Sequence, residues 1–388
     1  MMIVEQKSWL PLSGVRMLDF SALLPGPFAT AILADLGADV IKVEPIHGES
    51  ARAFLPDLFR TANRNKRSIA LDLKQPAART VIERLVAHAD LALESFRPGV
   101  ADRLGVGAAA LRAINPRLVY CSLSGYGQDG PWRDHPGHDA NFLAAAGGLA
   151  YAGTWSGAPS RSSLPVADLM GGGFAVSALL AALHQAQRSG EGCHLDLSLL
   201  ESTFFCTAMR HGLDSERPRA HLFAISDLFE TADGKRLALG LVEQHFFDNF
   251  RAVVRDIEPR IADPRFDTNS SRRENGNDLC ALLHTLIRTR TADEWLALLT
   301  PCDVPVDVCV SAVEAQHNPQ LGARGAVSEL DGERFALFPV QVDGVRGGAL
   351  RSPAPGLGDH GRELLAECRF SAAEITALEA DGVVGRPR

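Results

Sequence analysis

One stretch near the start limits the fold more than any other. Val15 to Ser21 is a short apolar run holding a single acid, the pattern of a buried strand. Leu23-Leu24-Pro25-Gly26-Pro27 breaks it, Phe28 to Leu36 has helical spacing, and Gly37 supplies a C-cap. Asp39 to Glu44 reads as a second strand. A strand, a crossover helix and another strand predict a parallel pair.

The alternation continues. Strands are expected at Ser68 to Leu73, Leu91 to Glu94 and Leu118 to Ser124, with a helix over Gln75 to His88 carrying Pro76 in its first turn. This implies an α/β chain with a doubly wound, Rossmann-like sheet. Leu169 to Gln187 is a long helical stretch, and His194 to Ser198 a strand before a helix from Leu199. Leu213 to Arg219, with charges and Pro218, marks a domain boundary. Phe223 to Leu241 then reads as strand, Asp233-Gly234 turn, strand. Helices follow at Phe246 to Val254, Asp278 to Arg288 and around Trp295. Short strands such as Phe335 to Val340 and a helix over Ser371 to Glu379 close the chain. The expected organisation is a large domain over 1–212, a smaller α+β domain over 220–325 and a third segment over 326–388.

Composition narrows the function. The 388 residues carry a formal charge of −8, which argues against a nucleic-acid partner. Met1 to Leu10 lacks the apolar core of a signal peptide, and the other apolar stretches read as too short or too charged to span a bilayer. Seven scattered cysteines without a CxxC pair suit reduced thiols, so a cytoplasmic protein is expected. Gly125-Tyr126-Gly127-Gln128-Asp129-Gly130 fits GxGxxG, but Pro131 and Pro136 oppose the helix that dinucleotide binding needs. No Walker sequence, HExxH or spaced Cys/His metal set is present.

Several segments taken together resemble one family. Leu23-Leu24-Pro25-Gly26-Pro27, Gly37 to Glu44, Asn65 to Lys74, Glu94-Ser95-Phe96-Arg97-Pro98-Gly99 and Leu123 to Gly127 are similar, in this order, to family III CoA-transferases of the CaiB/BaiF type. The likeness runs from about Leu12 to Arg351. Gly137-His138-Asp139-Ala140-Asn141-Phe142, Ala167-Asp168-Leu169-Met170-Gly171-Gly172-Gly173 and Leu241-Val242-Glu243 resemble motifs of the α-methylacyl-CoA racemase branch. The resemblance implies a C-terminal return to the large domain, an interlocked homodimer, an acyl-CoA substrate and no cofactor beyond the substrate's own CoA. His138 and Asp168 are the implied bases, with Glu243 pairing with His138. Implied CoA contacts are Lys42, Lys66, Arg67, Leu71, Asp72, Leu73, Lys74, Arg97, Gly137, Asp139, Ala140, Asn141 and Phe142. Pro45 stands where relatives often carry an Arg near the nucleotide phosphates.

The chemistry suits these residue types. Inverting the carbon beside a thioester carbonyl needs a base on one face, a proton donor on the other and a stabilised enolate. Histidine exchanges protons near neutrality, and an adjoining carboxylate orients its ring. Asp168 is expected just before a helix, whose N–H groups around Leu169 to Gly172 would face the enolate oxygen. The three glycines there would let the thioester approach the backbone. Arg60, Arg64, Lys66, Arg67 and Lys74 form a basic patch expected to dock phosphates. Two other readings stay open: a CoA-transferase with Asp168 as nucleophile, and a catalytically silent acyl-CoA or nucleotide-binding module.

Overall fold

The computed structural model describes residues 8–150, 152–158, 160–210 and 222–387. The chain divides into two units, one of Met1–Ala146, Leu164–Cys206 and Gln316–Arg388, the other of Gly147–Ser163 and Thr207–Ala315.

The first unit is built on six parallel strands: β1 (Arg16–Phe20), β2 (Asp39–Glu44), β3 (Arg67–Ala70), β4 (Leu91–Glu94), β5 (Val119–Ser124) and β6 (His194–Ser198). Their spatial order is β3-β2-β1-β4-β5-β6, the doubly wound arrangement the alternation implied. The helices are α1 (Pro25–Asp35), α2 (Ala51–Phe54), α3 (Pro56–Ala62), α4 (Ala78–Val86), α5 (Val100–Arg103), α6 (Ala108–Ile114), α7 (Asp139–Ala145), α8 (Val166–Ser189) and α9 (Leu199–Thr207). The central strands β4 and β5 are covered on both faces and buried throughout, while β2 buries Lys42 and Glu44 and the edge strand β6 leaves His194 and Asp196 exposed. Met17, Val40 and Val119 pack against α1 and α8. Leu18, Ile41 and Tyr120 pack against α4, α6 and a C-terminal pair, Gly361–Glu367 and Ala372–Ala380. That pair fills a sheet face, which is why the tail belongs to the first unit.

Two helix starts differ from expectation. α1 begins at Pro25 rather than Phe28, because proline at the first helical position lacks only an N–H that would be unpaired anyway. α8 begins at Val166, so Asp168 lies inside the first turn rather than before it. At 24 residues α8 is also long and apolar enough to cross a bilayer, contrary to the sequence reading. Its packing on α1 and the sheet accounts for that apolarity, since Ala175, Leu179 and Leu183 are buried there.

The second unit carries an antiparallel sheet of β7 (Leu228–Glu230), β8 (Arg236–Leu239) and β9 (Val306–Val308). Around it lie α10 (Gln244–Val254), α11 (Asn269–Glu274), α12 (Gly276–Ile287) and α13 (Ala292–Leu299), with Phe229, Phe247, Phe250 and Trp295 fully buried. Residues 147–163 group here and not with the large domain. Trp155 is the reason: its ring is buried against Gly276, where a Cβ would stand 2.2 Å from it, its backbone N–H donates to Asp227 at 2.6 Å, and its indole N–H donates to Asn277 at 3.0 Å. The boundary expected at Leu213 to Arg219 lies outside the described residues. The return to the first unit falls at Gln316 instead of 326.

Candidate active site

Strand order reverses between β1 and β4, so the chain leaves their carboxyl ends toward opposite faces and opens a crevice. A cavity of about 530 Å³ occupies it. Ala22, Leu23 and Pro25 line it after β1, Ser95 to Pro98 after β4, and Gly125 and Tyr126 after β5. Gly137, His138, Asn141, Phe142 and Asp168 complete the wall, with Arg133 and His135. Arg97, Gly137, His138, Asn141, Phe142 and Asp168 are therefore brought together as expected. Glu243 is not among them: it is the exposed residue preceding α10 in the second unit.

The dipeptide His138-Asp139 organises this wall. His138 precedes α7 and is exposed, and its N–H donates to Asn141 Oδ1 at 3.0 Å. Asp139 is buried, and its Oδ1 accepts from the N–H groups of Ala167 at 2.8 Å and Asp168 at 3.3 Å. A carboxylate thus satisfies the first turn of α8 and sets where half-buried Asp168 stands. The Asp139 carboxylate is thereby engaged at the end of α8.

The donors expected at Leu169 to Gly172 are also committed elsewhere. Leu169 N–H donates to Pro165 C=O at 3.0 Å, and the N–H groups after it close further helical turns. Gly171 and Gly172 serve packing: a Cβ would stand 2.2 Å from Leu199 and 2.7 Å from Phe28. The enolate-facing role expected of these residues falls away. What remains at this end is the positive pole of α8. Gly125 and Gly137 are likewise packing glycines, since a Cβ on either would meet the Phe142 ring at 2.8 or 2.7 Å. That explains part of the GxGxxG stretch without a dinucleotide.

The basic patch is largely internal. Lys66 is fully buried, with its ammonium donating to Asp19 at 2.9 Å, Thr30 at 2.7 Å and Asn63 at 2.9 Å. Burial pushes the Lys66 ammonium down, partly countered by Asp19. Burial alone would raise the Asp19 carboxyl, but Lys66 and Lys42 outweigh it and hold it below the usual carboxylate range. Lys42 is buried too, against Glu49 and the Ser21 carbonyl. Arg67 is clasped by Asp39, Glu363 and Glu367, Arg64 by Asp35, and Arg60 by Glu333. Leu71 is 1% exposed, and Asp72 accepts from the Lys74 N–H. The side chains of Lys42, Lys66 and Arg67 are therefore engaged within the first unit, and that of Leu71 is buried there, while Asp72 is half-exposed.

Of the cations that face open space, Arg97 and Lys74 are among the expected contacts, while Arg79, Arg103 and Arg133 are not. Arg97 and Arg133 line the first cavity. Leu73, Lys74, Arg79 and Arg103 line a second one of about 510 Å³. Arg103 and Arg133 flank Gly99, each with a guanidinium nitrogen 3.5 Å from where its Cβ would be. Their shared signal in the sequence is position: each follows the carboxyl end of β4 or β5.

Glu94 ends β4 directly before the cavity-lining Ser95. Burial pushes its carboxyl up to about 7, against hydrogen bonds from the Phe96 N–H at 2.7 Å and from Ser122; Asp102 and Asp196 add to the rise. Its folded pKa lies above the ordinary value of 4.5, so the native state keeps a proton that the unfolded chain gives up. Stability should fall as pH rises from about 4.5 to about 7 and level off above, by ~3 kcal/mol for this group. Denaturant melts across pH 4.5–8 should show that slope in the wild type and a flatter curve in Glu94→Gln. Parallel curves would place the titration elsewhere.

The model of the CoA-transferase family III matches residues 12–361. The chain belongs to this family. It is 34% identical to the acetyl-CoA:oxalate CoA-transferase of Acetobacter aceti over 383 residues, 94% of this chain and 97% of that one. It is 28% identical to the human alpha-methylacyl-CoA racemase over 392 residues, 97% of this chain and 98% of that one. The crystal structure of a CaiB/BaiF family protein from Brucella suis superposes with a TM-score of 0.83 at 30% identity, covering 92% of this chain and 99% of that chain. The α/β fold read from the sequence is that of this solved CaiB/BaiF family structure.

Proposed function

We propose that the chain moves the proton on the α-carbon of a 2-methylacyl-CoA and inverts that centre. One observation carries this reading: His138 and Asp168, two side chains able to take or give a proton, line one cavity at the switch point of the sheet. One removes the proton from its face of the α-carbon, electron density moves onto the thioester oxygen, and the other delivers a proton to the opposite face. The positive pole of α8 favours the developing oxyanion. Arg97 and Arg133 are suited to the anionic part of CoA, and Lys74 and Arg103 in the neighbouring cavity to its phosphates.

Glu243 as the carboxylate that orients His138 rests on the resemblance. A homodimer belongs to the proposal, and exposed Phe204 and Phe205 on α9 offer apolar surface for it. So does a cytoplasmic location, with all seven cysteines unbonded. No cofactor is required beyond the CoA of the substrate.

CoA transfer between carboxylic acids is a second reading, favoured by the greater identity to the Acetobacter aceti transferase than to the racemase. There Asp168 attacks the thioester carbonyl and CoA thiolate leaves, giving an acyl anhydride. The thiolate returns to the Asp168 carbonyl and expels the donor carboxylate. The acceptor carboxylate then displaces the thiolate from Asp168, and the thiolate attacks the acceptor's carbonyl in the new anhydride, which frees Asp168 and the new thioester. The experiment separates the two. In deuterated water, one enantiomer of a 2-methylacyl-CoA should gain α-deuterium while its configuration scrambles, and hydroxylamine should trap no adduct on Asp168. CoA passing to oxalate or succinate, an adduct on Asp168 and no deuterium gained would establish transfer instead.

A further inference from the structure

The turn after β1 is held in an unusual shape by buried charge. Leu23 has φ of +66°, a left-handed conformation uncommon for a residue with a branched side chain. Its N–H donates to Glu49 Oε2 at 2.9 Å. The Ala22 N–H donates to Ser95 Oγ at 3.0 Å, and the Ser21 carbonyl accepts from Lys42 Nζ at 3.0 Å. Glu49 Oε1 stands 3.2 Å from Lys42 Nζ, an ion contact rather than an aligned hydrogen bond, with the two side chains 4% and 0% exposed. Ala22, Leu23 and Ser95 all line the switch-point cavity.

We propose that Glu49, braced by Lys42, is a positioning residue for the substrate. It holds Leu23 at positive φ so that the turn presents a fixed wall to the acyl-CoA. A strained backbone persists only where its surroundings over-determine it. Here the determinant is one buried carboxylate on the Leu23 N–H. Glycine would take this φ freely. A leucine at the position keeps an apolar side chain on the cavity wall and relies on Glu49 for the conformation. This inference rests on the cavity being the acyl-CoA site proposed above.

The test is a cycle of Glu49→Gln, Leu23→Gly and the double variant, with two readouts. Hydrogen exchange of the peptide spanning residues 20–28 in the free protein should speed up about tenfold in Glu49→Gln, the scale of one charge-assisted hydrogen bond. The dissociation constant for a 2-methylacyl-CoA, measured by calorimetry, should rise by a similar factor. In the Leu23→Gly background the same Glu49→Gln change should cost less than about twofold, because glycine keeps the φ unaided. Glu49→Asp keeps the charge beside Lys42 but shortens the reach to Leu23, so it should loosen the turn even if Glu49→Gln does not fold. Equal losses in both backgrounds, or faster exchange with affinity unchanged, would overturn the proposal. Thioester binding coupled to Glu49 in an enzyme that exchanges no α-proton would sink the proton-transfer reading and leave this one standing.

Discussion

Asp168→Ala should lower turnover by ~10³-fold or more, the upper range for losing a proton-transferring or nucleophilic group. The fold should survive it. Asp168 is half-buried in the first turn of α8, where an acid is worth only ~0.3–1 kcal/mol through the helix dipole. His138→Ala decides what Asp168 does. In two-base inversion, both variants lose inversion by comparable factors, and α-deuterium exchange persists only on the face of the base that remains. In acyl transfer through Asp168, His138→Ala costs far less than Asp168→Ala. Steady-state kinetics on each enantiomer, with melting temperatures as the control for folding, distinguish the outcomes. Full activity in both variants would remove this cavity as the active site.

The second large effect is on stability. Lys66→Met should destabilise the chain by ~3–5 kcal/mol, because it leaves Asp19 charged inside the protein without its partner. The double variant Lys66→Met with Asp19→Asn should recover much of that loss, since no buried charge is then uncompensated. Denaturant midpoints for the two single variants and the double give the coupling. A Lys66→Met protein of normal stability and weakened CoA affinity would return Lys66 to the binding site.

These two predictions separate what a linear pattern can reveal from what it cannot. Strands are legible through their apolar residues, Val40, Ile41 and Val43 in β2 and Leu91 to Leu93 in β4, and both strands have the bounds the sequence suggests. Glycines gave helix ends, as Gly37 does at φ +107°. Pro25, in the segment read as a break, instead begins α1. The sequence reading takes no account of Pro165, which immediately precedes α8, so the role assigned to the N–H groups after Asp168 was misplaced by one turn.

By itself the sequence determined the α/β alternation, the parallel sheet and a set of residue types suited to acyl-CoA chemistry. His138 and Asp168 stood out through motif resemblance, and the sheet's crossover order does bring both to its carboxyl end. Only the tertiary structure decided which charges are available to a ligand. Lys66 looks like a free cation in Asn65-Lys66-Arg67, yet its partner Asp19 lies 47 positions away. Lys42 meets the Ser21 carbonyl across 21 positions, and Arg67 meets Glu367 across 300. A charge is neutralised by whatever the fold sets within a few ångströms of it, and Coulomb attraction depends on that distance and on burial, not on separation along the chain. Arg97, Arg103 and Arg133 gain their places in the same way. They follow strand ends that the crossover order gathers around two neighbouring cavities, while Arg64, Lys66 and Arg67 of the expected patch are spent in holding the sheet and its turns together.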